Sequence, residues 1–278
     1  MLAQNDRIID LLNTAPQNEA ALPPSSAPPG SVSVIVLCCG QLEFTRLCVS
    51  SLLRHSRAPY ELIFVDIGSL DGTPEFLAGV AAAAPVRVEV VHVSGDSAFP
   101  AACAEGIAAA RGEFVVWLNN DTIVTESWLQ HLVALANMKP EIGLVGPMSN
   151  YAPAPQRAGP VAYHLGPRMV LSSNGTGQRN GSVVDIEPVN RFAREWREQH
   201  RGECFETDRL GGFCLLMKRE LLQRVDLFND GSVLTGLNAD AVCSRIRRAG
   251  YQMACCKDLF IHHFGSRIAY HDRPDDRH

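Results

Sequence analysis

Between residues 31 and 146, short runs of β-branched and aromatic residues alternate with segments whose apolar residues recur at helical spacing. Runs at 31–39, 61–66, 86–93, 113–118 and 142–146 read as buried strands. Between them, 41–56 places Phe44, Leu47, Cys48 and Leu52 on one stripe. Thr73 and Pro74 open a second helix, as cap and first-turn residue. Residues 100–110 form a small-residue helix closed by Gly112, and 126–138 align Trp128, Leu129, Leu132, Val133 and Ala136. Strands and helices alternating at this pitch predict an α/β fold with a doubly wound, mostly parallel sheet flanked by helices. Short, right-handed crossovers then bring the carboxyl ends of the second and fourth strands to one edge.

Those two ends carry carboxylates. The second strand delivers Asp66, and the loop behind it holds Asp71. The fourth strand ends in Asn119, Asn120 and Asp121. In open α/β sheets ligands bind beyond the carboxyl ends of the strands. A carboxylate flanked by amides suits a hard divalent cation that carries a diphosphate. The same residues also suit a polar turn that caps the next helix.

The second half begins with a long Pro-, Gly-, Ser- and Asn-rich stretch at 149–185, a composition expected of a functional lid or of disorder. A helix is expected at 188–201, with Val189, Phe192, Ala193 and Trp196 on one face. A strand is expected at 210–217, entered through Gly211 and Gly212. Helices at 218–225 and 238–249 follow, the latter ended by Gly250, then a last strand at 251–256. The chain therefore divides into a tail with a helical turn or two at 5–13 and a Pro-rich linker (1–30), a catalytic unit (31–268) and a polar tail (269–278). Within the unit, the change of composition after the fifth strand separates 31–148 from 149–268.

Net charge −5 without a basic run excludes a nucleic-acid partner. The cysteines are odd in number, nine, and lack a Cys-x-x-Cys pair. They read as buried thiols of a reducing cytoplasm, with no zinc-type spacing. The first residues lack the pattern of a secretory signal, and no apolar run reaches the roughly 20 residues of a membrane span. Asn120, Asn174 and Asn180 match the glycosylation acceptor pattern, here by chance.

These residues resemble family 2 glycosyltransferases of the GT-A fold across 31–268. The likeness rests on seven stretches in the family's order: Val34-Ile-Val36 with its helix, Glu61 to Thr73, Phe99 to Glu113, Leu118-Asn-Asn-Asp-Thr122, Gly212 to Glu220, Arg245 to Tyr251, and His262-His-Phe-Gly-Ser266. The resemblance implies transfer of a sugar from a nucleotide diphosphate sugar, usually with inversion, to a glycan, lipid or protein hydroxyl. A lipid acceptor would bring the chain peripherally to a membrane. It implies Mn²⁺ or Mg²⁺ as cofactor. Asp66 matches the carboxylate on the nucleotide base, and Asp71 lies in the same binding loop. Asp121 matches the metal-binding aspartate, with Asn119 in place of the family's first Asp and Asn120 beside it. His262 matches the histidine that completes the metal or diphosphate site. Tyr163 or Trp196 could stack on a sugar, although the helical stripe of Trp196 points to core packing.

The sequence also departs from the family. Gly40, Ile67 and Ala104 stand where amides are usual. The Glu-Asp pair before the last helix, whose Asp acts on the acceptor hydroxyl, falls on Asn238 and Ala239. Asp240 comes one residue late, a helical rotation of about 100°. Two expectations follow: a metal-dependent transferase with Asp240 as substitute base, or a catalytically weakened homologue that binds a sugar nucleotide or a partner enzyme.

Overall fold

The computed structural model describes residues 28–57, 59–94, 99–165, 167–168, 183–225 and 239–265. The helical turns expected at 5–13, most of the Pro-rich linker, Asn174 and Asn180, residues 226–238 with Asn238, and the polar tail lie outside the described residues.

Four strands, β1 (Val32–Cys38), β2 (Tyr60–Ile67), β3 (Val88–Val93) and β4 (Phe114–Asn119), pair in parallel. Their crossovers are α1 (Leu42–His55), α2 (Thr73–Ala83) and α3 (Phe99–Ala109). After β4 come β5 (Thr122–Ile123), α4 (Trp128–Ala136), β6 (Ile142–Met148), β7 (Pro167–Arg168) and β8 (Val183–Val184). The chain continues with α5 (Glu187–Gln199), β9 (Cys204–Glu206), β10 (Cys214–Lys218) and α6 (Arg219–Arg224). It closes with α7 (Ala239–Arg248), β11 (Gln252–Phe260) and β12 (His262–His263).

The main sheet has eight strands in the order β3-β2-β1-β4-β10-β6-β11-β9. β10 is antiparallel to both neighbours, so β6 and β11 share the direction of β1 to β4. β9 closes the far edge antiparallel to β11. The mostly parallel, doubly wound sheet expected from the alternation is thus present.

Every residue of β1, β2 and β6 is buried, as a parallel strand covered on both faces requires. Alternate residues feed two cores. Val34, Val36, Phe64 and Val116 pack with Leu52, Leu77 and Trp128 from α1, α2 and α4. Ile35, Ile63, Val65 and Trp117 face the other side, with Cys103 from α3 and Ile246 from α7. The small residues of α3 have a steric reason. A Cβ on Gly106 would lie 2.9 Å from Ile35 Cγ2 and 3.0 Å from Val65 Cγ2, so the helix lies close on the sheet.

The structure corrects the strand expected at 210–217, which starts only at Cys214. Before it, Gly211 N–H donates to Gln156 Oε1 at 2.7 Å, so this backbone is held by a side chain and not by a ladder. Three elements were not foreseen: β9, the antiparallel β7–β8 pair, and a two-stranded sheet in which β12 pairs antiparallel with β5. Seven cysteines are buried, Cys39 is half-buried and Cys204 exposed, and all nine are free thiols. Asn120 is fully buried, which removes it as a glycosylation acceptor in the folded chain. No helix among the described residues is long and apolar enough to cross a membrane.

Candidate active site

The register brings the expected carboxylates to one edge. Cys38 at the end of β1 pairs with Asp66 of β2 on one side, and Leu37 pairs with Asn119 of β4 on the other. Asp66 and the Asn119–Asp121 turn therefore flank the exit of β1. Asp66 is 3% exposed. Its Oδ1 accepts Ser69 N–H at 3.4 Å, and its Oδ2 lies 3.1 Å from Nδ1 of the exposed His92 on β3. His92 escaped the sequence reading because a lone histidine in a strand carries no local signal.

Asp71 is engaged by the loops around it. Its Oδ2 accepts Leu42 N–H at 2.9 Å, and its Oδ1 accepts the Thr73 hydroxyl at 2.7 Å and Thr73 N–H at 3.3 Å. One carboxylate thus caps the first turns of both α1 and α2. It replaces a local cap at α1, where Gly40 and Gln41 are left-handed at φ 64° and 62°. Burial works to raise the Asp71 pKa, but the hydrogen bonds from Thr73 and Leu42 outweigh it and hold the carboxyl below its usual value. Asn120 acts similarly from the other side. Its Nδ2 donates to Gly40 O at 3.1 Å and to Thr45 Oγ1 at 2.9 Å, which ties the end of β4 to the start of α1. Asn119 pairs through its backbone, with N–H donated to Phe213 O at 2.9 Å, and its side chain is half-buried.

Asp121 is wholly buried. The short β5–β12 pairing sets His263 opposite Thr122 and His262 opposite Ile123. Neighbours in a strand point to opposite faces. The two histidines accordingly have different surroundings. His263 Nε2 lies 3.3 Å from Asp121 Oδ1. His262 Nδ1 meets the Tyr163 hydroxyl at 2.6 Å instead.

His263 is fixed from every side. Its backbone N–H donates to Asn150 Oδ1 and its carbonyl accepts Asn150 Nδ2, both at 2.9 Å. Its ring stacks on Phe213 with centroids 5.0 Å apart. Its Nδ1 lies 3.0 Å from Tyr151 O, and a carbonyl can only accept. Nδ1 therefore carries the proton. The ring so held turns Nε2 toward a carboxylate oxygen. Either a second proton or a cation must lie between them. Backbone carbonyl, imidazole and then cation is the usual chain of contacts at a metal-binding histidine.

His262 supplies a second indication. Its Nε2 is buried and has no hydrogen-bond partner among the described residues. Burial, with the neighbouring His263 adding to it and Asp121 opposing, lowers its pKa from 6.5 to about 4. The ring is neutral at neutral pH, the form that ligates metals. Because the folded pKa is depressed, the unfolded chain binds the extra proton between the two values, so folding is favoured above pH 6.5. We expect the metal-free protein to lose roughly 3 kcal/mol as pH falls from about 6.5 to about 4. Urea denaturation across that window should show the slope, and His262→Asn should flatten it.

A buried carboxylate and the imidazole facing it are donors that Mn²⁺ accepts, while His262 turns to the other face of β12 toward Tyr163. The residues present thus fit a divalent cation, through Asp121 and His263 with His262 adjacent. Sequence reading named His262 alone. Tyr163 supports that histidine and does not lie open to stack on a sugar, and Trp196 donates Nε1–H to Lys257 O at 2.7 Å beside Phe192 and Phe260. Asp240 is in the first turn of α7, exposed, and bound at 2.7 and 3.1 Å by Nε and Nη2 of Arg209.

Residues 33–225 match the model of the glycosyl transferase family 2. The chain belongs to that family. Among curated relatives, the uncharacterized protein y4gI of Sinorhizobium fredii is 27% identical over 271 residues, 96% of this chain and 28% of its own length. The uncharacterized glycosyltransferase EpsJ of Bacillus subtilis is 30% identical over 182 residues, 64% of this chain and 50% of its own. The chain thus spans half or less of these relatives. Among solved structures, GalNAc-T7 with UDP, GalNAc and Mn²⁺ aligns with TM-score 0.59 at 14% identity, covering 84% of this chain and 43% of that one. Mannosyltransferase PcManGT from Pyrobaculum calidifontis, in complex with GDP-Man and Mn²⁺, aligns with TM-score 0.55 at 15% identity, covering 94% and 64%. At these identities the likeness carries the fold, which is GT-A.

Proposed function

We propose that this chain transfers a sugar from a nucleoside diphosphate sugar to an acceptor hydroxyl, with inversion and with a bound divalent cation. The observation that carries the reading is the His263–Asp121 contact, in which an imidazole anchored by Tyr151 O turns Nε2 to within 3.3 Å of a buried carboxylate oxygen. Asp121 and His263 would hold Mn²⁺ or Mg²⁺ at the end of β4, with His262 beside them on the opposite face of β12. Bound there, the cation supplies charge stabilisation for the departing diphosphate. Asp66, across the exit of β1, is placed to accept from the nucleotide base. Asp71 and Asn120 act by holding the loops after β1, β2 and β4 in register, and Asn119 lines the same edge. Asp240 is the remaining candidate for the acceptor base.

The Arg209–Asp240 pair favours a second reading, in which the site binds a sugar nucleotide without efficient transfer. Both readings require donor binding. A thermal-shift screen of nucleotide sugars with and without Mn²⁺ tests this common step. At a ligand concentration of 100 times Kd, about 2.7 kcal/mol of stabilisation is expected. No shift with any donor would sink both readings. His263→Ala should weaken Mn²⁺ binding by about 10- to 100-fold. An unaltered titration would remove His263 from the site.

A further inference from the structure

A different group of ligand-type side chains lies at the β11–β9 end of the sheet. His131 on α4 places Nδ1 3.2 Å from Asp258 Oδ1. Cys256 on β11 places Sγ 3.2 Å from the same oxygen. The three ligand atoms lie within 4.8 Å of one another, the one such group of three or more His, Cys, Asp and Glu side chains found among the described residues. The other carboxylate oxygen, Oδ2, accepts Gly202 N–H at 2.9 Å, which turns Oδ1 toward the histidine and the thiol.

Cys204 lies directly across from Cys256 in the antiparallel β9–β11 ladder. Lys257 N–H donates to Glu203 O next to this pair, and Thr207 N–H to Met253 O further along. The alternation makes Cys204–Cys256 a non-hydrogen-bonded pair, the kind whose side chains approach most closely. Cys256 is buried and Cys204 exposed, so Cys204 stands on the solvent side of the pair, its sulfur outside the three atoms gathered within 4.8 Å.

We propose that His131, Cys256 and Asp258, with Cys204 as fourth ligand, form a site for a zinc-type divalent cation. Tetrahedral zinc with sulfur at about 2.3 Å and nitrogen and oxygen at about 2.0 to 2.2 Å separates its ligand atoms by roughly 3.3 to 3.8 Å. The two 3.2 Å spacings to Asp258 Oδ1 need only a small expansion, and Cys204 would turn its sulfur inward to complete the set. Thiolate and imidazole donors select zinc over Mg²⁺ or Mn²⁺, so the site differs in preference from the one at Asp121 and shares no residue with it. Each thiol that ligates releases its proton to solvent, so binding weakens as pH falls. Burial, then the hydrogen bond to Asp258, pushes the Cys256 thiol up and deepens that dependence. The ion would join α4, β11 and the edge strand β9, ligands up to 127 residues apart. That separation is why linear spacing gave no zinc signature.

Purified Asp121→Asn protein, in which the other site is silenced, isolates the effect. Metal analysis should find about one zinc per chain. Replacement by Co²⁺ should give a thiolate-to-cobalt charge-transfer band in the near ultraviolet and tetrahedral d–d bands in the visible. Cys256→Ser should lose the charge-transfer band. His131→Gln, at a half-exposed helix position, should weaken it in a protein whose circular dichroism shows it folded. Absence of both zinc and the cobalt band in the Asp121→Asn protein would overturn the proposal. Cobalt bands that survive both substitutions would overturn it equally.

Discussion

Asp121→Asn should abolish the effect of Mn²⁺ on thermal stability and lower sugar transfer by about 10³-fold, equivalent to about 4 kcal/mol of transition-state stabilisation. The substitution keeps the shape of a side chain that is wholly buried, so it changes charge and hydrogen bonding without opening a cavity. In the metal-free protein the expected outcome runs the other way. The lone pair of His263 Nε2, 3.3 Å from Asp121 Oδ1, would gain an amide donor in place of a carboxylate oxygen. The metal-free variant should therefore be no less stable than the parent. Melting curves with and without Mn²⁺ read both outcomes in one experiment. A parent protein that Mn²⁺ does not stabilise would refute the metal site. A variant that is strongly destabilised without metal would show that Asp121 is held by a protonated His263 and not by a cation.

Asp240→Asn should slow transfer by about 10²- to 10⁴-fold if Asp240 is the acceptor base. The pair with Arg209 is exposed, and its loss should change stability by less than about 1 kcal/mol. A fall in turnover would then report chemistry and not unfolding. Arg209 occupies both carboxylate oxygens, so an acceptor hydroxyl must compete with it. Arg209→Ala removes the competitor and should raise turnover while leaving donor binding intact. Normal turnover in the asparagine variant removes Asp240 from the mechanism. Donor binding without transfer in the parent chain favours the binding-only reading.

The fold was legible because burial patterns are local. Uninterrupted runs such as Leu62-Ile-Phe-Val65 and Phe114-Val-Val-Trp117 report strands covered on both faces, and the helical stripes between them report crossovers. Strand ends are local as well, so Asp66 and Asp121 could be placed at one sheet edge before any contact was known. Asp71 was correctly placed in its loop, but its partners Leu42 and Thr73 belong to two helices, and only packing shows that one carboxylate caps both.

Local patterns alone specify the parallel sheet and the edge at which its carboxylates gather. The tertiary structure alone decided which histidine reaches Asp121. In a strand successive side chains face opposite ways, so shifting the β5–β12 pairing by one residue would exchange His262 for His263. No local pattern encodes that register, because it joins segments more than a hundred residues apart. The same reason hid β10 between β4 and β6, and the pairing that brings Cys204 to Cys256. Composition and period fix elements, while register between distant elements is fixed by the packing of the whole chain.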